Sequence, residues 1–201
     1  MAYYPISSAV LEHLKKSDKK LKKLIEMHGV IKRKIEEDVF KALVFNIISQ
    51  QISTKAANTI KTRLLALIKT ISPKNIVELS DDELQAVGLS FRKVNYIKTI
   101  ALKVSLKELD LKRLNEMEDE AIIKELIKLP GIGVWTAEMM LIFTFKRENV
   151  LSYLDLGIRR GVKRLYNLEE VNKEQFMKLK NIYSPYASIA SLYLWQLASI
   201  K

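Results

Sequence analysis

Apolar residues in this chain recur three and four positions apart, the spacing that lines one face of an α-helix, and no stretch alternates apolar with polar as a half-buried strand does. The pattern predicts an all-α fold. Helices are expected over residues 6–16 and 18–28, the second opened by Ser17 or Asp18 and stopped by Gly29. After a charged connection from Lys32 to Asp38 comes a helix marked by Phe40, Leu43, Val44, Ile47 and Ile48. It ends in Ser49-Gln50-Gln51-Ile52-Ser53-Thr54, where Ser53 or Thr54 can cap the next helix through Ala56, Ile60, Leu64 and Leu67. Ser72-Pro73 opens a short helix, and Ser80-Asp81-Asp82-Glu83 has the form of a capping box for another, stopped at Gly88. Ser90 then caps a long amphipathic helix through Val94, Ile97, Ile100, Ala101 and Val104, with Arg92, Lys93 and Lys98 near its start.

The centre of the chain is Leu129-Pro130-Gly131-Ile132-Gly133-Val134-Trp135-Thr136-Ala137. A helical pattern through Ala121, Ile122, Leu126 and Leu129 leads into it, Pro130 biases Leu129 away from helical dihedrals, and the two glycines permit a tight turn. From Val134 to Phe145 only Thr136, Glu138 and Thr144 are polar, so this helix should be buried on most of its surface. Two helices joined by a Gly-apolar-Gly turn form a helix-hairpin-helix, whose amides at the second N-terminus suit a phosphate. An ordinary αα-hairpin that happens to hold two glycines is the competing reading. Downstream, Asp155 heads a helix bearing Arg159, Arg160, Lys163 and Arg164, Asn172 to Gln175 opens a further helix, and Ser184-Pro185 opens the last, with Ile189, Leu192 and Leu197 on an apolar face around Trp195.

Composition narrows the partners. With 201 residues, 48% of them hydrophobic, the chain can bury a sizeable core in one domain or two small lobes. A formal charge of +11 points to a negatively charged partner, nucleic acid ahead of a membrane surface because no very basic tail is appended. The lysines at positions 15, 16, 19, 20, 22 and 23 read better as a solvated face than as direct DNA contacts. Absence of cysteine excludes disulfides, thiol catalysis and a cysteine-bound iron-sulfur cluster, and His13 and His28, far from any ligand-like cluster, read as surface residues. No charged-then-apolar leader begins the sequence and no apolar run reaches about 18 residues, so an intracellular protein with no membrane partner is expected.

A helix from Val134 carries the chain roughly 20 Å from the hairpin at about 1.5 Å per residue. The residues from Arg147 to Leu154 can return up to about 26 Å if extended, which lets Asp155 reach the hairpin end again. Trp135 starts there, so a carboxylate and a large aromatic face can converge beside bound phosphate. As an N-cap, Asp155 would be held in place by the first amides of its helix; on local sequence alone a cap is all it need be.

The run from Leu129 to Glu138, followed by Asp155-Leu156-Gly157-Ile158-Arg159-Arg160-Gly161, resembles the 3-methyladenine DNA glycosylase II family, the alkylation-repair branch of the helix-hairpin-helix DNA glycosylases. Ile48 to Ala57 and Gly88 to Val94 are similar to that family's helix-end loop and second turn, so the likeness spans about residues 40–165 in the family's order. The resemblance implies a catalytic carboxylate at Asp155, a phosphate-binding hairpin at Gly131, Gly133 and Thr136, and a DNA-facing loop of Gln50, Gln51, Ser53 and Thr54. Trp135 falls on an aromatic wall of the base pocket, with Tyr153 beside the site where relatives often carry proline or an acidic residue. Trp135 also occupies the position of the Schiff-base lysine of bifunctional relatives, so base excision without strand cleavage is implied. Gln51 falls near the residue that fills the gap left by an extruded nucleotide, and Gln50 is one residue of alignment away.

The fold implied is two helical lobes, residues 40–150 with the hairpin motif at about 119–146, and residues 1–39 with 151–201, with the base pocket in the cleft. No segment is left for the extra β domain of larger bacterial members, which suggests a compact form. The expected partner is double-stranded DNA containing alkylated bases, bound by a monomer in the cytoplasm and nucleoid, or the nucleus. No cofactor is expected, though hairpin carbonyls could hold a structural monovalent cation. A non-catalytic DNA-structure binder, a glycosylase for oxidised or deaminated purines and a helical protein-interaction scaffold are the alternatives.

Overall fold

The computed structural model describes residues 2–200; Met1 and Lys201, the ends of the second expected lobe, lie outside them. Among these residues the order is β1 (Ala2–Tyr3), α1 (Ser8–Ser17), α2 (Lys19–His28), β2 (Lys34–Ile35), α3 (Val39–Ser49), α4 (Thr54–Ile68), α5 (Pro73–Glu78), α6 (Asp81–Ala86), α7 (Phe91–Ser105), α8 (Leu111–Leu114), α9 (Asp119–Leu126), α10 (Val134–Phe143), α11 (Leu156–Tyr166), α12 (Lys173–Tyr183) and α13 (Ala187–Ser199). None of these helices is long and apolar enough to cross a membrane.

Local chemistry fixes most helix starts. Ser7, Asp18, Asp38, Ser53, Ser72, Ser90 and Asp155 each accept a main-chain N–H from the helix they precede. Ser80 with Glu83 and Asn172 with Gln175 close full capping boxes. The choice between Ser17 and Asp18 falls to Asp18, and that between Ser53 and Thr54 to Ser53. Gly29 stops α2 with φ 62.

Two features depart from the helical pattern. β1 and β2 pair antiparallel, Ala2 with Ile35 and Tyr3 with Lys34, and at two residues each they are too short to show alternation. His28 is half-buried rather than on the surface, and its Nε2 is buried without a hydrogen-bond partner among the described residues. His13 is exposed, bonded to the Ser184 carbonyl at 3.0 Å with its ring edge-on to Tyr186.

The chain divides into two compact units, Met1–Ile35 with Leu141–Lys201, and Glu36–Met140. The division therefore falls after residues 35 and 140, against 39 and 150 drawn from the sequence, and α10 carries the second boundary within it. In the first unit α13 is the central element, with every residue from Ala187 to Leu194 buried. Ile158, Gly161 and Val162 are the buried face of α11. A Cβ at Gly161 would lie 2.2 Å from the Leu194 carbonyl oxygen, so only glycine permits the α11–α13 approach. Arg164 donates to the carbonyls of Leu197, Ala198 and Ile200 at the end of α13. Beneath α1 and α2, Tyr166 donates to Asp18 at 2.9 Å and pairs with Tyr183 at 2.7 Å, and burial raises both phenols well above the ordinary tyrosine value.

In the second unit α3 packs on α4 and α7, and α5 and α6 pack on α7. Leu43, Ile47, Ile48, Leu64, Ile76, Leu84, Val94, Ile97 and Ala101 are among its fully buried side chains. The end of α3, the start of α7 and the hairpin between α9 and α10 all belong to this compact unit.

Candidate functional site

The hairpin is built from a short turn in which Ile132 N–H donates to Leu129 O at 3.2 Å. Gly131 sits at φ 80, and a Cβ there would meet the Tyr96 ring at 2.4 Å, so its lack of a side chain is required both by backbone and by neighbour. Gly133 is different: nothing lies within 4 Å of its would-be Cβ, and the residue is exposed. The first intrahelical bond of α10 runs from Ala137 N–H to Gly133 O at 3.0 Å, which leaves the amides before it outside the helical ladder, at the positive end of the helix. Trp135 is 44% exposed on this first turn, whereas Thr136 is only 5% exposed. As expected, α10 beyond this turn is largely buried, from Ala137 through Ile142 apart from Glu138.

The loop after α3 is joined to the hairpin. Gln50 donates from Nε2 to the Gly131 carbonyl at 2.7 Å, while Gln51, at φ 58, is exposed and accepts through Oε1 from the Arg92 guanidinium at 3.4 Å. Ser53 and Thr54 are exposed; Ser53 Oγ accepts from Ala56 N–H at 3.2 Å as the cap of α4, and Thr54 is the first residue of that helix. The Leu129 carbonyl accepts from Ile132 N–H and the Gly131 carbonyl from Gln50 Nε2, so both carbonyls take part in holding the turn.

Asp155 lies in the first unit as the N-cap of α11, 7% exposed. Its Oδ1 accepts from Ile158 N–H and from the Trp195 indole N–H, both at 2.8 Å. Gly157 makes room for this arrangement, since a Cβ there would lie 2.7 Å from the Trp195 ring and 3.0 Å from Asp155 Oδ1. On either side Leu154 and Leu156 are 52% and 58% exposed, an apolar frame around a buried carboxylate. Trp195 stacks at 5.5 Å on Phe143, whose other neighbour is the Arg33 guanidinium at 5.1 Å. Tyr153 directs its hydroxyl to the Val171 carbonyl at 3.3 Å, with Phe176 edge-on at 5.2 Å and the Arg159 guanidinium over its ring at 5.1 Å.

The sequence pattern placed Trp195 only on an apolar face; in the structure its indole N–H donates to Asp155 Oδ1 and helps orient the carboxylate. Trp195→Phe keeps the aromatic bulk and removes that donor. Base release should fall about tenfold, in line with roughly 1.5–3 kcal/mol for a hydrogen bond to a charged group, with DNA affinity held. Single-turnover release measured beside equilibrium binding checks this, and an unchanged rate would leave Trp195 as packing alone.

The Gly-Ile-Gly turn that joins α9 to α10 is a helix-hairpin-helix, a motif whose N-terminal amides suit a nucleic-acid phosphate. Residues 44–185 match the HhH-GPD superfamily of base excision DNA repair proteins, and the chain belongs to this superfamily. It is 30% identical over 196 residues to DNA-3-methyladenine glycosylase 1 of Schizosaccharomyces pombe, covering 94% of this chain and 86% of that protein. Among solved structures, it is similar to a DNA-3-methyladenine glycosidase of Bacillus halodurans, with 33% identity, TM-score 0.86 and coverage of 99% and 93% of the two chains. It is also similar to the S. pombe 3-methyladenine DNA glycosylase in complex with abasic DNA, with 30% identity, TM-score 0.79 and coverage of 94% and 96%.

Proposed function

We propose that the protein is a monofunctional DNA glycosylase that extrudes alkylated purines, 3-methyladenine and 7-methylguanine, from duplex DNA and hydrolyses their N-glycosidic bonds. The buried Asp155 carboxylate with two N–H donors on one oxygen carries this reading, in a chain whose relatives are named for the same reaction. A base alkylated to a cation departs neutral and needs little acid catalysis. The sugar it leaves develops oxocarbenium charge, which a fixed carboxylate stabilises electrostatically while it orients water. Hairpin amides neutralise phosphate, and Gln51, exposed on its loop, fills the stack when the nucleotide leaves it, whereas Gln50 is committed to Gly131. Trp135 offers an electron-rich face to the cationic base, worth roughly 0.5–2 kcal/mol over a neutral one, so selectivity comes mainly from the weakened bond of the lesion. Tryptophan cannot form a Schiff base, hence no strand cleavage. A monovalent cation on the hairpin carbonyls would support phosphate binding, and no step of the reaction runs through it. The protein acts as a monomer inside the cell, where its DNA is.

The test is release of bases from heavily methylated duplex DNA, resolved by chromatography, beside single-turnover assays on hypoxanthine and 8-oxoguanine duplexes with and without alkali. We expect 3-methyladenine and 7-methylguanine to be released, hypoxanthine weakly or not at all, and no nick without alkali. Preferential removal of 8-oxoguanine, or a borohydride-trapped adduct, overturns the assignment. Tight DNA binding with no base released would make the protein a structure-specific clamp.

A further inference from the structure

The Lys93 ammonium, near the start of α7, donates at 2.8 Å to the carbonyl of Ile48 and at 2.8 Å to that of Gln50, where α3 ends. The last carbonyls of a helix lack intrahelical partners and form its negative end, so a cation is well placed there. Burial, with a smaller push from neighbouring Arg92, lowers the Lys93 ammonium from the ordinary lysine value.

Of these two, the Gln50 carbonyl has the wider effect. It shares one planar peptide unit with the N–H of Gln51, so its direction sets ψ of Gln50, at 133, and φ of Gln51, at 58, together. A glutamine with positive φ is held there by its surroundings, because extended and right-handed conformations are open to it and sterically easier. The Gln50 side chain closes the same loop from the other direction through Gly131.

We propose that Lys93 is a positioning residue for the glutamine plug: it clamps the Ile48 and Gln50 carbonyls, Gln50 anchors the loop to the hairpin, and Gln51 is thereby held in its left-handed conformation before DNA arrives. The proposal rests on the reading of Gln51 as the residue that fills the gap of a flipped nucleotide. Preorganisation of this kind acts where there is a gap to fill, and is silent on intact duplex.

The experiment has two readouts on the full chain. Hydrogen–deuterium exchange of residues 49–54 in the free protein reports the loop; binding to an intact duplex and to one with a tetrahydrofuran abasic site reports its use. Lys93→Met should speed exchange in the loop and weaken abasic-site binding by about tenfold, the worth of one charge-assisted bond, with much smaller change on intact duplex. Added to Gln51→Ala it should weaken abasic-site binding little further, and Lys93→Arg, which keeps donors for both carbonyls, should restore much of the loss. Equal weakening on the two duplexes would make Lys93 a direct backbone contact, and unaltered exchange in the loop would overturn the clamp. Should Lys93→Met not fold, Gln50→Leu removes the Gly131 anchor alone and must speed the same exchange, or the proposal fails. Wild-type protein that binds both duplexes equally, with Gln51→Ala silent, would overturn the plug reading, while the exchange measurement still decides the role of Lys93.

Discussion

Asp155→Asn is expected to lower single-turnover base release by about 10² to 10³ or more, the usual effect of losing a preorganised electrostatic stabiliser, and to leave folding and DNA binding in place. The structure explains the separation. Oδ1 is the atom that accepts from Ile158 N–H and from Trp195 Nε1–H, and asparagine keeps an oxygen there. The cap and the indole contact survive while the charge goes. A melting temperature within a few degrees of wild type, together with unchanged affinity for an abasic duplex, is the control that makes the rate interpretable. An Asp155→Asn protein that releases 3-methyladenine at near wild-type rate would reduce Asp155 to a helix cap.

Gly161→Ala is expected to destabilise the protein although it adds a better helix former. In an ordinary helix interior the change gains about 1 kcal/mol of propensity. Here the new Cβ would stand 2.2 Å from the Leu194 oxygen, 2.7 Å from its carbonyl carbon and 2.9 Å from its Cα, all backbone atoms that cannot rotate away. α13 must move, and overpacking of this kind costs about 1–3 kcal/mol or more, so the clash wins. A net loss of about 2 kcal/mol lowers the melting temperature by roughly 4–8 °C in a chain of this size. Trp195 follows Leu194 directly, so the displacement also disturbs the Nε1 bond to Asp155, and base release should fall with stability. Calorimetry beside single-turnover kinetics checks both, and a raised melting temperature would show that propensity outweighs the contact.

What the sequence made legible was local. Capping at Asp18, Ser53, Ser80, Ser90, Asp155 and Asn172 depends on side chains within three residues of the amides they accept from, so the residue order contains the whole interaction. The hairpin was legible for the same reason. What was not legible joins distant positions: Trp195 meets Asp155 across 40 residues and Gln50 meets Gly131 across 81. No spacing rule separates Gln50 from Gln51, yet one side chain is engaged with the hairpin and its neighbour is exposed. Arg164, one of four basic residues on its helix, turned out to hold the end of α13, a role its charge could not announce.

The unit that holds Asp155 is assembled from the two ends of the chain, whereas Glu36–Met140 is continuous. On the ribosome the continuous unit emerges whole and can fold while the remainder is still being made. α1 and α2 appear earlier still, but the helices they pack on, α12 for α1 and α13 for α2, are synthesised much later. Until Ala187–Ser199 has left the exit tunnel, the first unit lacks its central helix and Asp155 lacks the indole that orients it. Vectorial synthesis therefore completes the hairpin before the carboxylate centre, and Asp155 gains its indole donor only once α13 has emerged.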